Sequence, residues 1–319
     1  MSQPPIIGAL SPRPQRVRRG DRLEFRVFLT AYRFFARLPR DTALRAGAAL
    51  GSAFYLCDRP HRRIALRNLE IAFPEKSDAE RRDILHCACR NLGRTGAEIC
   101  HFERLTPETV GRYVRIEDPD RWRRELAAVA DQGAIILTGH FGNFELLAYA
   151  HGLFGHPVTL VHRSLRNSLV DAVVTELRNR AGTRSIRKKA AAREALRALQ
   201  RRELVAIPAD QNQTRRTGVF VRFFGVPAST TPGVARLAML TGAPVYPVFL
   251  VREGETDQHR LVVLPRVDMV RGGDRDADVV ENTQRCTSVI EQMLRQYPEQ
   301  WIWFHKRWRT RPPGEPAMY

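Results

Sequence analysis

The chain has no apolar run long enough to cross a bilayer. Its best candidate, Ala46 to Cys57, offers 12 uncharged residues between Arg45 and Asp58, against the roughly 20 that a spanning helix needs. A secretory signal is missing too. Residues 1–20 hold Pro4, Pro5, Pro12 and Pro14 with Arg13, Arg16, Arg18 and Arg19 in place of an apolar core, so they read as a disordered basic leader. The five cysteines (Cys57, Cys87, Cys89, Cys100, Cys286) are odd in number and lack C-x2-C spacing. That pattern argues against a disulfide scaffold or structural metal and for buried thiols in a reduced, cytosol-facing protein. His-Glu-x-x-His and Gly-x-Ser-x-Gly are absent, which removes the support for zinc-hydrolase or serine-nucleophile chemistry. Acids are in short supply: 34 Asp and Glu against 52 Lys and Arg give a net charge of +18. Such an excess favours an anionic partner, whether nucleic acid, an acidic carrier protein or an anionic membrane surface. Helix-turn-helix, zinc-finger and RNP signatures are missing. A nucleic-acid reading therefore rests on charge and on the interleaving of Trp301, Trp303, Phe304 and Trp308 with His305, Lys306, Arg307 and Arg309.

What the chain does have is length and alternation. Its 319 residues, 43% hydrophobic, can fill one sizeable core. The front third reads as helical, with Ser77-Asp78-Ala79-Glu80 a capping box that opens a helix to about Phe102;. Beyond it the pattern predicts strand 134–138, a helix from about 143, strand 157–162, helix 167–181, a basic helix 190–202 and strand 204–208. Helix 232–241, strands 244–252 and 259–267, and helix 275–296 follow. Strand-helix alternation predicts an α/β fold: a mostly parallel central sheet covered by helices on both faces, with a helical N-terminal region. Arg184, Arg187, Lys188 and Lys189 form a basic run with no assigned role.

Between Arg22 and Leu38 the arginines at 22, 26, 33 and 37 fall within about 60° of a helical wheel, with Leu23, Val27, Phe28, Phe34, Phe35 and Leu38 opposite;. An amphipathic helix of this kind can lie in a bilayer interface with guanidinium groups at the lipid phosphates.

The chemistry concentrates at Thr138-Gly139-His140-Phe141-Gly142-Asn143-Phe144-Glu145, between the apolar run Ala134-Ile135-Ile136-Leu137 and the helical Leu146-Leu147-Ala148. A histidine in this turn stands at the carboxyl edge of a strand, where open α/β sheets place ligands. An imidazole can take a proton from a hydroxyl near neutral pH, and a carboxylate on its other nitrogen fixes the tautomer. His140 and Glu145 are thus the expected base and orienting acid, and backbone N–H groups of Gly139–Asn143 offer an oxyanion site. Asp210 and Gln211 end the strand Leu204-Val205-Ala206-Ile207-Pro208 and should point into the same crevice.

The same stretch resembles the core motif of the bacterial lipid A secondary acyltransferases, the lauroyl and myristoyl transferases, within the wider glycerolipid acyltransferase group. Arg67-Asn68-Leu69 with Ala72-Phe73-Pro74, Val161-His162-Arg163-Ser164-Leu165-Arg166-Asn167, Ala209-Asp210-Gln211, Phe223-Phe224-Gly225, Gly242-Ala243-Pro244-Val245 and Pro298 to Trp308 extend the likeness from about residue 22 to 312. The His-x4-acid signature usually ends in Asp; here it ends in Glu145. The resemblance implies one acyltransferase domain over 21–312, with 21–58 as its membrane-associating helical part, a leader at 1–20 and a tail at 313–319. It implies transfer of an acyl chain from an acyl-carrier-protein thioester to a hydroxyl of a lipid A precursor, with the thioester a co-substrate and no cofactor or metal. A sibling activity remains open, acylating another glycolipid from acyl-CoA as phosphatidylinositol mannoside acyltransferases do. Arg178 and Arg163, with Asn143, Asp210 and Gln211, are the implied substrate-binding residues, since guanidinium groups suit phosphates. Many relatives carry an N-terminal membrane helix; this chain departs from them, so the expected location is peripheral, at the cytoplasmic face of the bacterial inner membrane.

Overall fold

The computed structural model describes residues 19–162, 164–187 and 191–319. The leader to residue 18, Arg163, Lys188 and Lys189 lie outside them. Four helices form the front: α1 (Arg19–Arg37), α2 (Arg40–Cys57), α3 (Arg59–Ala72) and α4 (Asp78–Ile99). The capping box is present in full, with the Glu80 N–H donating to Ser77 Oγ at 3.3 Å and the Ser77 N–H to Glu80 Oε2 at 2.8 Å. Helices α2 and α4 touch backbone to backbone. A Cβ at Gly93 would sit 2.0 Å from the Gly47 carbonyl oxygen, so only glycine permits the approach.

The sheet follows the predicted alternation. Its strands are β1 (Val114–Ile116), β2 (Ala134–Thr138), β3 (Val158–His162), β4 (Arg184–Arg187), β5 (Leu204–Pro208), β8 (Val245–Arg252) and β9 (His259–Val263), in the order β1-β9-β8-β2-β5-β3-β4. Strands β8, β2, β5, β3 and β4 run parallel, while β9 turns back antiparallel on β8 and carries β1 beside it. Alternate residues of the central strands feed two cores, as strands buried on both faces require. Ile135, Leu137, Val205, Ile207 and Phe249 pack with residues of α3, α4, α8 (Ala191–Gln200), α9 (Gly233–Thr241) and α10 (Arg275–Gln296). Ala134, Ile136, Ala206 and Tyr246 pack with residues of α5 (Pro119–Val129), α6 (Phe144–Leu153) and α7 (Ser168–Arg180) on the other face.

Three features depart from expectation. Part of the basic run is the edge strand β4, where only Ile186 is buried, too little apolar content to register as a strand. A second, two-stranded sheet pairs β6 (Val219–Phe223) with β7 (Val226–Thr230). Phe224 and Gly225 join them at φ of 51° and 75°, the doubly positive geometry of a tight hairpin turn. Helix α1 does not keep one apolar face for lipid: Tyr32 is buried, Phe25 and Phe28 pack on the domain, and Leu23, Val27 and Phe34 stay exposed beside the arginines.

The cysteines are not all buried, since Cys57 and Cys87 are exposed. The C-terminal residues are tied down. Arg67 Nε donates to the Met318 carbonyl at 3.1 Å, the Trp308 N–H donates to Tyr319 Oη at 3.1 Å, and Tyr319 donates to Asn68 Oδ1.

Candidate active site

Strands β2 and β5 pair in register from Ala134 against Leu204 to Thr138 against Pro208. Their continuations therefore emerge side by side, and the Ala209 N–H donates to the Thr138 carbonyl at 3.0 Å. That register sets His140 against Asp210. One carboxylate oxygen lies 2.9 Å from His140 Nδ1, and the other accepts from the His140 backbone N–H at 3.0 Å and from Trp301 Nε1 at 2.8 Å. A Cβ on Gly139 would come within 3.2 Å of the Asp210 carboxyl carbon, so the glycine lets the carboxylate reach the turn.

The Asp210 side chain is fully buried, whereas that of His140 is 26% exposed. Burial pushes the Asp210 pKa up, but the His140 charge and hydrogen bonds from His140 and Trp301 outweigh it and hold the carboxyl well below its ordinary range;. Burial of the imidazole disfavours its cation, yet the Asp210 charge and hydrogen bond, with the Glu145 charge, raise the His140 pKa above the ordinary histidine value. With Nδ1–H donating to Asp210, Nε2 is the acceptor. The Gln211 amide nitrogen stands 3.3 Å from both ring nitrogens. Phe144 closes the ring edge-on at 5.2 Å between centroids.

Glu145 does not orient His140. Its carboxylate is taken by Arg178, with Nε donating at 2.8 Å and Nη2 at 2.5 Å, because α7 lies beside the first turn of α6 and offers a planar fork that matches a carboxylate. Glu145 acts on His140 through its charge alone. Arg178 thereby spends on Glu145 the donors that were expected to hold a phosphate; its side chain is 14% exposed.

Asn143 is fully buried and does not face substrate. Its Oδ1 accepts from the Leu146 N–H at 3.0 Å, capping α6, and its Nδ2 donates to Glu98 at 2.7 Å. The backbone of the turn is also partly engaged. The His140 N–H serves Asp210 and the Gly142 N–H donates to the Gln300 carbonyl at 2.7 Å, so these two amides are not oxyanion donors here. Gly142 has φ of 55° and a Cβ there would meet the Leu250 carbonyl oxygen at 1.9 Å, which excludes any other residue.

Arg166 reaches Glu24 at 3.5 Å from the surface, and Asn167 caps α7 and donates to the Asp21 carbonyl at 2.9 Å. Asn68 serves structure as well, donating to the carbonyls of Trp303 at 2.6 Å and His305 at 2.8 Å. The aromatic block is not the nucleic-acid platform its interleaving suggested: Trp301, Trp303 and Trp308 are buried. Sequence reasoning counted Trp301 in the family likeness but missed its indole as a donor to Asp210, because the pairing spans 91 positions. Among the described residues no group of three or more His, Cys, Asp or Glu side chains is arranged to hold a metal ion.

A buried carboxylate and a partly exposed imidazole, gathered at one sheet edge, make an arrangement able to accept a proton from a hydroxyl;. Residues 22–310 match the family described as bacterial lipid A biosynthesis acyltransferase, and the chain belongs to that family. It is 28% identical to the lipid A biosynthesis palmitoleoyltransferase of Escherichia coli K12, over 89% of this chain and 90% of that protein. It is 29% identical, with the same coverage, to the lauroyltransferase of the same strain. The myristoyltransferase of that strain is 26% identical over 85% of this chain and 82% of its own. The chain is accordingly an O-acyltransferase of the α/β class.

Proposed function

We propose that the protein transfers a fatty acyl chain from an acyl-carrier-protein thioester to a hydroxyl of a lipid A precursor, with His140 as general base. The observation that carries this reading is the His140–Asp210 contact of 2.9 Å, which engages Nδ1 and leaves Nε2 as the acceptor. In the transfer, Nε2 takes the hydroxyl proton as the oxygen attacks the thioester carbonyl. Asp210 stabilises the imidazolium, and the proton then passes to the departing thiolate. The Arg178–Glu145 pair stands beside this base, its rigid fork bounding the acceptor site. A net charge of +18 suits both an acidic carrier and an anionic bilayer;. No helix among the described residues is long and apolar enough to cross a membrane, and exposed Leu23, Val27 and Phe34 beside the α1 arginines support peripheral attachment at the cytoplasmic face of the inner membrane;.

The test is transfer by purified protein to a lipid A precursor, read by mass spectrometry, with lauroyl, myristoyl and palmitoleoyl thioesters of carrier protein and of CoA as donors. Carrier thioesters are expected to react and CoA esters to lag. His140→Ala should lower the rate about 10²–10⁴-fold. A preference for CoA overturns the donor assignment, and retention of more than about a tenth of the rate in His140→Ala overturns the mechanism.

A further inference from the structure

Beneath the catalytic turn lies a second carboxylate that the transfer chemistry does not use. Glu98, on the last turn of α4, has a fully buried side chain. Four groups from four elements converge on it. Arg252, at the end of β8, donates from Nη1 at 3.0 Å and Nη2 at 2.6 Å; Asn143, at the head of α6, donates from Nδ2 at 2.7 Å. His259 Nε2, at the start of β9, and Arg40 Nη2, at the start of α2, each stand 3.5 Å away. A buried carboxylate is costly unless it is paired and hydrogen-bonded, and this one is.

The cage reaches the catalytic turn by two routes. The first is direct, from Glu98 through the Asn143 amide. The second runs through Arg252, whose backbone N–H donates to Gln300 Oε1 at 2.8 Å and whose carbonyl accepts from Gln300 Nε2 at 2.9 Å. The Gln300 carbonyl in turn accepts from the Gly142 N–H, and the Ile302 N–H donates to the His140 carbonyl at 3.3 Å. Residues 140, 142 and 143 are thus held from below by elements that carry no reacting atom. On the same helix start, Asn143 Oδ1 caps α6 and so fixes where Glu145 begins its first turn.

We propose that Glu98 is a positioning residue for acyl transfer, acting through its hydrogen bond to Asn143 to hold the turn that aims His140 and Glu145. The inference rests on His140 being the base. Misplacement of a reacting group by about 1 Å can cost on the order of a hundredfold in rate, so loosening this link should appear in kcat and leave KM largely in place. The link has a donor and an acceptor, which permits a test that mere destabilisation would not pass. Glu98→Gln leaves Arg252 without its counter-charge, and Asn143→Asp sets two carboxylates against each other. The double variant E98Q/N143D exchanges donor and acceptor across the same contact, keeps an acceptor for Arg252 Nη1 and one negative charge in the cage, and retains an N-cap acceptor; it gives up only the Arg252 Nη2 bond, which shares Glu98 Oε2 with Asn143.

The experiment measures kcat, KM and melting temperature for the full chain with the carrier thioester and lipid A precursor of the His140 test. Each single variant should lose about 10- to 100-fold in kcat with KM changed less than about threefold, and the double variant should recover to within about tenfold of wild type. Asn143→Ser covers the case in which the single variants fail to fold, because it leaves the Glu98–Arg252 pair intact, caps α6 and cannot span the gap to Glu98. It should keep a near-native melting temperature and lose at least about tenfold in kcat. A wild-type kcat in Asn143→Ser, or a double variant no better than the worse single, overturns the assignment. If His140→Ala is inactive while Asn143→Ser is unaffected, only the positioning role fails; an active His140→Ala removes the chemical reading itself.

Discussion

The acid on His140 is Asp210, 70 positions away in sequence, and the acid five positions away serves an arginine. The two carboxylates therefore affect the base in different ways. Asp210 touches Nδ1 and sets the tautomer; Glu145 contributes charge at a distance, offset by Arg178. Both raise the His140 pKa, and a general base must be neutral. The rate kcat/KM should accordingly climb with pH through a midpoint above the ordinary histidine value of about 6.5. Asp210→Asn removes the contact anion, so the midpoint should move to lower pH while the plateau falls about 10²–10⁴-fold for loss of the tautomer. Glu145→Gln should move the midpoint the same way by less, and should cost less rate than His140→Ala. A pH-rate profile of each variant decides this: an unmoved midpoint in Asp210→Asn would assign the orienting role elsewhere.

At the scale of elements, α1 divides its apolar residues between the domain and the exposed surface. Tyr32, Phe25 and Phe28 bind the helix to the domain, and Leu23, Val27 and Phe34, at 66%, 63% and 56% exposure, form a stripe beside Arg22, Arg26, Arg33 and Arg37. Inserting three such side chains into a bilayer is worth about 1.5–3 kcal/mol each, and each arginine near an anionic surface about 1 kcal/mol more. Replacing Leu23, Val27 and Phe34 together with Gln should release the protein from vesicles containing anionic phospholipid in a flotation assay. Turnover of detergent-dispersed acceptor should persist, because the residues that dock α1 are untouched. Undiminished vesicle binding would place the membrane surface elsewhere on the molecule.

For the molecule as a whole, two fully buried carboxylates set the acid limit. Burial raises the pKa of Glu98, but His259 and Arg252 outweigh it, and Asp210 is held down in the same way by His140. A carboxyl whose pKa is depressed by folding contributes stability above its unfolded value of about 4 and loses it as pH falls further. Each such group steepens the decline by about 1.4 kcal/mol per pH unit. His140 works in the opposite direction: its raised pKa contributes stability at low pH that fades as pH climbs through the folded value. The melting temperature should therefore hold between about pH 5 and 7 and drop steeply below about 4. Asp210→Asn, which removes one of the two carboxylates, should make that drop shallower; an unchanged slope would show that Asp210 does not contribute to the acid limit;.

The sequence by itself determined the secondary structure of the central region, because strands buried on both faces and capped helices declare themselves in local pattern. Strand Leu204–Pro208 and helix Arg275–Gln296 fall where the periodicity put them. It also determined the family and the turn that bears His140, since Gly139, His140 and Gly142 must be contiguous to make that turn. Edge strand β4 and the β6–β7 hairpin were harder to read, one for want of apolar residues and the other because its turn residue Phe224 is not a usual hairpin former. The partners in the site were decided only by the fold. Which carboxylate meets His140 depends on the parallel register of β2 with β5, and which guanidinium meets Glu145 depends on α7 packing beside α6. A hydrogen bond follows proximity in space, and sequence spacing specifies proximity only within a single turn.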